Sequence, residues 1–143
     1  MTFNILIVDD SLSMRAVIKK IIGISGIRTD KCYEAQNGRE ALEVMAGNWV
    51  DIILSDINMP EMNGIEFLKA LRSDPLYKEI PVVFISTEAN TERIKESVLL
   101  GASGFLKKPF LPEELRKLLY NVLGLSDKGE YGEADQNTEE MDF

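Results

Sequence analysis

Four apolar runs in this sequence stop at residues that can do chemistry. Phe3–Val8 ends on Asp9-Asp10-Ser11, and Ile52-Ile53-Leu54 leads to Asp56. Residues 80–85 end on Ser86-Thr87, and Gly104–Lys107 ends on Lys108-Pro109. Each has an ordinary role when taken singly. An Asp-Asp-Ser triplet caps a helix by accepting its orphan N–H groups. Asp56 and Ser86 suit turns, and Lys108 suits a solvated surface. Independent capping, however, does not place polar residues at four strand ends on one side. Together they supply three carboxylates, a hydroxyl and an ammonium. Clustered carboxylates repel one another, so the set calls for a cation among them. Oxygen ligands select a hard ion, magnesium, manganese or calcium rather than zinc. Asp10 and Asp56 are placed to hold it, with Asp9 helping through water, because magnesium keeps several waters and uses few carboxylates.

The chain has no histidine. That removes Ser-His-Asp and Cys-His catalysis, histidine metal sites and any phosphohistidine on this chain. The single cysteine, Cys32, excludes an internal disulfide and fits a reducing compartment.

The elements that position these residues alternate strictly. After the first strand, Met14, Val17, Ile18, Ile21 and Ile22 recur at helical spacing, and Gly23 and Gly26 close that helix. Thr29–Ala35 reads as a second strand, and its Lys31, Cys32, Tyr33 and Glu34 mark an edge. Asn37-Gly38 opens a helix with Ala41, Leu42 and Met45 inward, ended by Gly47-Asn48. The third strand is an apolar run of the kind covered on both faces. Met59-Pro60 and Asn63-Gly64 turn the chain into a helix with Phe67, Leu68 and Leu71 inward. Residues 80–85 form strand 4. Helix 4 is capped by Asn90 or Thr91, shows Ile94 and Val98 on one face and ends at Gly101. Its surface is otherwise polar, so it should pack less firmly than the others. Strand 5 spans residues 104–107. Helix 5 starts at Pro112, carries the stripe Leu115, Leu118, Leu119 and Val122, and ends at Gly124.

Five β-α units in series predict an α/β fold: a flavodoxin-like, doubly wound, five-stranded parallel sheet in the order 2-1-3-4-5, with helices on both faces. In that order strands 1, 3, 4 and 5 bring Asp9, Asp10, Asp56, Ser86 and Lys108 to the carboxyl edge, where open parallel sheets bind ligands.

The 143 residues are enough for one domain. The net charge of -8 is uneven. Residues 126–143 hold seven of the 24 acids and one of the 16 basic residues, netting -6, so the rest nets only -2. Residues 1–125 are therefore expected to form the domain and 126–143 an acidic, disordered tail. No basic stripe points to nucleic acid. No apolar run points to a membrane or a signal peptide, and a cytoplasmic protein is expected.

Asp9-Asp10, Asp56, Ser86 and Lys108-Pro109-Phe110 together resemble the receiver domain of two-component response regulators. The likeness covers residues 3 to 124, in order, spacing and structural context. Asp56-Ile57-Asn58-Met59-Pro60 and Gly101-Ala102-Ser103-Gly104-Phe105 look most like the single-domain chemotaxis members. The resemblance implies that Asp56 takes a phosphoryl group from a phosphohistidine on a sensor histidine kinase. It implies that Asp9, Asp10, Asp56 and the Asn58 backbone carbonyl hold Mg2+, that Lys108 pairs with phosphoryl oxygens, and that Ser86 hydrogen-bonds one. It also implies a cis bond before Pro109, and a switch by Ser86 and an aromatic residue on strand 5. That residue is Phe105, which lacks the hydroxyl of the tyrosine often found there.

On this reading the protein catalyses only its own phosphorylation and dephosphorylation. It signals through a face of helix 4, strand 5 and helix 5 to a target, such as a flagellar motor switch component, with a phosphatase as a further partner. A phosphorelay intermediate, passing the group to a histidine phosphotransfer protein, is the alternative. A haloacid-dehalogenase-type phosphatase would need Asp-x-Asp after strand 1, where this chain has Asp9-Asp10-Ser11. A pseudo-receiver would lack a site residue, and none is missing.

Overall fold

Successive residues of a strand point to opposite faces, and in this chain both parities are apolar. Leu6, Val8, Ile53, Val82 and Phe84 enter one buried cluster, while Ile5, Ile7, Ile52, Leu54, Val83 and Ile85 enter another. A sheet with this pattern must be covered twice, which parallel strands joined by helices accomplish. The computed structural model describes residues 1–125; the expected acidic tail, 126–143, lies outside the described residues.

The order is β1 (Phe3–Val8), α1 (Leu12–Ile24), β2 (Thr29–Ala35), α2 (Gly38–Ala46), β3 (Ile52–Ser55), α3 (Gly64–Arg72), β4 (Val82–Ser86), α4 (Thr91–Leu99), β5 (Gly104–Lys107) and α5 (Pro112–Leu123). The sheet is parallel, in the order β2-β1-β3-β4-β5, as the alternation predicts. Ile18, Ile21 and Ile22 of α1 pack with Leu115 and Leu119 of α5 on one face. Ala41 and Met45 of α2 pack with Phe67, Leu68 and Leu71 of α3 on the other.

The caps follow local chemistry. Ser11, Asn37, Asn63 and Asn90 each accept a backbone N–H of the first turn of the next helix, and Asn63 with Glu66 closes a reciprocal capping box. Pro112 occupies the first turn of α5, and Gly124 ends it in the left-handed region at φ 71°.

Several expectations need correction. α1 runs through Gly23 to Ile24, and only Gly26 takes a positive φ, 89°. Val17 is 47% exposed; the buried polar residue of that helix is Arg15, which reaches inward for hydrogen bonds. Leu42 is half-buried. β4 begins at Val82 rather than residue 80, because Pro81 has no N–H to offer a neighbour; its carbonyl still accepts from Ile53. In α4, Val98 is 63% exposed and the buried residue is Ser97, one position round the helix. The weaker packing expected of that helix is present, since no apolar side chain on it is buried.

Gly64 is required by a close approach. Gly64 donates its N–H to the Ile57 carbonyl at 2.7 Å, folding the start of α3 back on the end of β3. A Cβ there would overlap the Asp56 carbonyl oxygen and meet the Phe84 ring at 2.8 Å. Gly23 sits inside α1 with nothing within 4 Å of such a Cβ. Gly64→Ala should therefore cost about 1–3 kcal/mol through overpacking, whereas Gly23→Ala should gain about 0.5–1 kcal/mol of helix propensity. Urea titrations of the two variants should shift in opposite directions; shifts of the same sign would refute this packing account.

Candidate functional site

The sheet's hydrogen-bond ladder continues one residue past three strands, and those residues are the chemical ones. The Asp9 N–H donates to the Ala35 carbonyl at 3.0 Å, that of Asp56 to Val8 at 2.8 Å, and that of Lys108 to Ser86 at 2.9 Å. Each backbone is thus fixed by the neighbouring strand before its side chain leaves the sheet.

The side chains converge. Lys108 Nζ lies 2.9 Å from Asp9 Oδ2 and 3.2 Å from Asp56 Oδ2. Asp9 Oδ1 accepts the Ser11 N–H at 2.9 Å, so both its oxygens are engaged. Asp56 Oδ1 accepts the Ile57 N–H at 2.7 Å. Asp9 is 2% exposed and Asp56 9%, whereas Asp10 faces solvent with no hydrogen-bond partner among the described residues. One carboxylate oxygen from each of Asp9, Asp10 and Asp56 lies within 4.8 Å of the others. An all-oxygen donor set with one open, exposed member fits a hydrated hard cation such as magnesium. The Asn58 carbonyl, which accepts no hydrogen bond among the described residues, is a candidate fourth donor.

Burial pushes the Lys108 ammonium toward neutrality, but the hydrogen bonds and charges of Asp9 and Asp56 outweigh it, leaving its pKa raised above 10.5. Lys108 is therefore a cation at physiological pH.

Of the expected residues, Asp9, Asp10, Asp56 and Lys108 meet. Ser86 sits fully buried at the end of the adjacent strand, and its hydroxyl accepts the Glu88 N–H at 3.2 Å. Phe105 is half-buried and packs against the α2–α3 core. The peptide bond before Pro109 is cis, as the resemblance implies.

Two arginines at the site escaped the sequence reading. Arg15 Nη1 donates to the Asp9 carbonyl at 2.6 Å, while its Nε bonds Glu34 Oε1 of β2 at 2.8 Å. Arg93 Nη1 lies 2.7 Å from Asn58 Oδ1 and 3.1 Å from Glu88 Oε1. Glu88 is held below the ordinary glutamate range first by the Asn90 N–H and then by Arg93. The only signal for Arg15 was its position four residues after the Ser11 cap, one turn along the helix from the site. For Arg93 there was none, since Asn58 lies 35 residues away.

Residues 5–120 match the family described as the response regulator receiver domain. The chain belongs to that family. This receiver is 38% identical over 125 residues to the chemotaxis protein CheY1 of Helicobacter pylori, covering 87% of this chain and 99% of the relative. Its structure resembles that of the chemotaxis response regulator CheY4 of Vibrio cholerae, with a TM-score of 0.75 and 39% identity over 85% of this chain and 99% of that one. A signal receiver domain of a signal transduction histidine kinase from Syntrophus aciditrophicus is also similar, with a TM-score of 0.76 and 29% identity over 90% of this chain and 96% of that one. No helix among the described residues is long and apolar enough to cross a membrane.

In the receiver, removing Lys108 leaves Asp9 and Asp56 buried without their ammonium. Lys108→Met should cost about 1–3 kcal/mol at pH 7. Because folding raises the Lys108 pKa, its contribution is complete below about 10.5 and is lost as pH rises through the higher folded value. The stability gap between wild type and variant should thus be flat from pH 6 to 9 and close only at stronger alkalinity. Denaturant titrations across that range check it; no gap at pH 7 would refute the role of the ammonium.

Proposed function

We propose that this receiver is a phospho-acceptor that takes a phosphoryl group onto Asp56 from a phosphohistidine of a sensor histidine kinase. The observation that carries the reading is Lys108 Nζ placed between Asp9 Oδ2 and Asp56 Oδ2 beside the exposed Asp10. A carboxylate is a weak nucleophile, and phosphoryl transfer depends on positioning and on neutralising charge on the equatorial oxygens. Asp56 is positioned by its ladder bond to Val8 and by the Ile57 N–H on Oδ1. Its carboxylate attacks phosphorus as the P–N bond to the donor imidazole breaks, and the bonding pair leaves with the imidazole. Lys108 bonds the developing negative charge, and Ser86 turns its hydroxyl to a phosphoryl oxygen. Asp10, Asp56 and the Asn58 carbonyl would hold Mg2+, with Asp9 reached through water, and the bound ion would supply further charge neutralisation. On this reading the chain catalyses only its own phosphorylation and dephosphorylation.

The output is a change of the face made by α4, β5 and α5. The half-buried Phe105 is the side chain whose packing can alternate between discrete arrangements. Chemotaxis control is favoured by the likeness to chemotaxis proteins. The partners are then a histidine kinase, a flagellar motor switch component and a phosphatase, all met in the cytoplasm. A phosphorelay intermediate, delivering the group to a histidine phosphotransfer protein, is the second reading. It is favoured by the likeness to a receiver that is part of a histidine kinase.

Asp56→Asn should abolish magnesium-dependent labelling by acetyl phosphate, read by intact mass, and undiminished labelling of that variant would overturn the assignment. Asp10→Ala should raise the magnesium concentration needed for labelling by at least about tenfold, the lower end of what loss of a ligand's outer partner costs. Glu43→Ala, on an exposed face of α2, should leave it unchanged. Equal effects of the two would remove Asp10 from the metal site.

A further inference from the structure

Among the described residues, apolar burial holds four of the five helices, but α4 buries only Ser97. Polar ties hold it instead. At its carboxyl end Arg72 of α3 donates to the Leu100 carbonyl at 3.1 Å, to Gly101 at 2.9 Å and to Ile80 at 3.1 Å. A cation on the last carbonyls of a helix also suits its macrodipole. Midway, the Lys69–Glu96 pair at 3.0 Å is exposed on both sides and adds little.

The amino end is held differently. Arg93 lies in the first turn, where the macrodipole disfavours a cation. It is kept there by Asn58 Oδ1 and Glu88 Oε1, both on its Nη1. These partners flank the site described above. Asn58 is two residues past Asp56, and the Glu88 N–H is the donor to the Ser86 hydroxyl. One guanidinium therefore joins the loop after β3, the loop after β4 and the start of α4.

We infer that Arg93 is a positioning residue which, through Asn58 and Glu88, holds the amino end of α4 in its unphosphorylated arrangement. When Ser86 turns to a phosphoryl oxygen it leaves the Glu88 N–H, the bridge opens, and α4 pivots about the carboxyl end pinned by Arg72. The inference rests on the proposed role of Asp56 for its trigger, but the bridge itself acts in the ligand-free protein.

Amide exchange on the full chain tests it, with wild type, Arg93→Ala, Arg93→Lys and Lys95→Ala, each ligand-free and with magnesium beryllofluoride. Lys95, on the same helix, makes no ion pair or side-chain hydrogen bond among the described residues. Ligand-free Arg93→Ala should exchange about three- to fivefold faster at residues 88–94, the scale of an exposed ion-pair bridge. Its further change on adding beryllofluoride should be correspondingly smaller. Residues 99–101 should be unaffected. Arg93→Lys keeps the charge without the planar fork and should fall between; Lys95→Ala should match wild type. The inference is overturned if ligand-free Arg93→Ala matches wild type, or if both ends of α4 loosen equally, as general destabilisation would cause. Failure of wild type to respond to beryllofluoride would instead overturn the Asp56 reading, and the ligand-free comparison would still decide the bridge.

Discussion

The Lys108 ammonium between Asp9 and Asp56 is the interaction on which the rest of the site depends. Two buried carboxylates on neighbouring strands repel each other, and taking either out of water is costly without a partner. The ammonium, bonded to both at 2.9 and 3.2 Å, makes the pair tolerable. The three residues reach that geometry because each is pinned by a ladder bond to an adjacent strand, Asp9 on β2, Asp56 on β1 and Lys108 on β4. The sheet order is therefore a condition for the charge cluster as well as for the core. Arg15 extends the same logic, tying the Asp9 carbonyl to Glu34 at the sheet's edge.

The helices of the two layers are held by two different forces. α1, α2, α3 and α5 are held by apolar side chains packed against both faces of the sheet. Close-packed interiors of that kind resist small displacements. α4 is held by the hydrogen bonds of two arginines, Arg72 of α3 onto its carboxyl end and its own Arg93 onto Asn58, and leaves Val98 and Leu99 in solvent. Polar ties at a surface break and re-form at lower cost than apolar packing. A charge added at the carboxyl edge meets a sheet buried on both faces on one side and a helix without an apolar anchor on the other.

The chain belongs to the receiver family and is similar to chemotaxis proteins. The candidate site sits on strand ends pinned by ladder bonds, and the proposed output surface includes α4, which buries no apolar side chain. Asn58 belongs to both: its backbone is a candidate metal donor, and its side chain meets Arg93.

Much of this was legible from residue order alone. Apolar runs of strand length, helical spacing and the caps at Ser11, Asn37, Asn63 and Asn90 are local properties, set by backbone hydrogen bonding within a few residues. Strict β-α alternation, with its handedness rule, then carried the strand order and brought Asp9, Asp10, Asp56 and Lys108 to one edge. What local pattern misjudged were choices between neighbouring positions, such as Val17 against Arg15 and Val98 against Ser97. Helical spacing marks a face but does not say which flank the sheet covers. The bridges of Arg15 and Arg93 were decided only in three dimensions. Each joins groups from separate elements across a gap that the packing of helix on sheet sets, and a long guanidinium side chain in a sequence carries no mark of the oxygen it will reach.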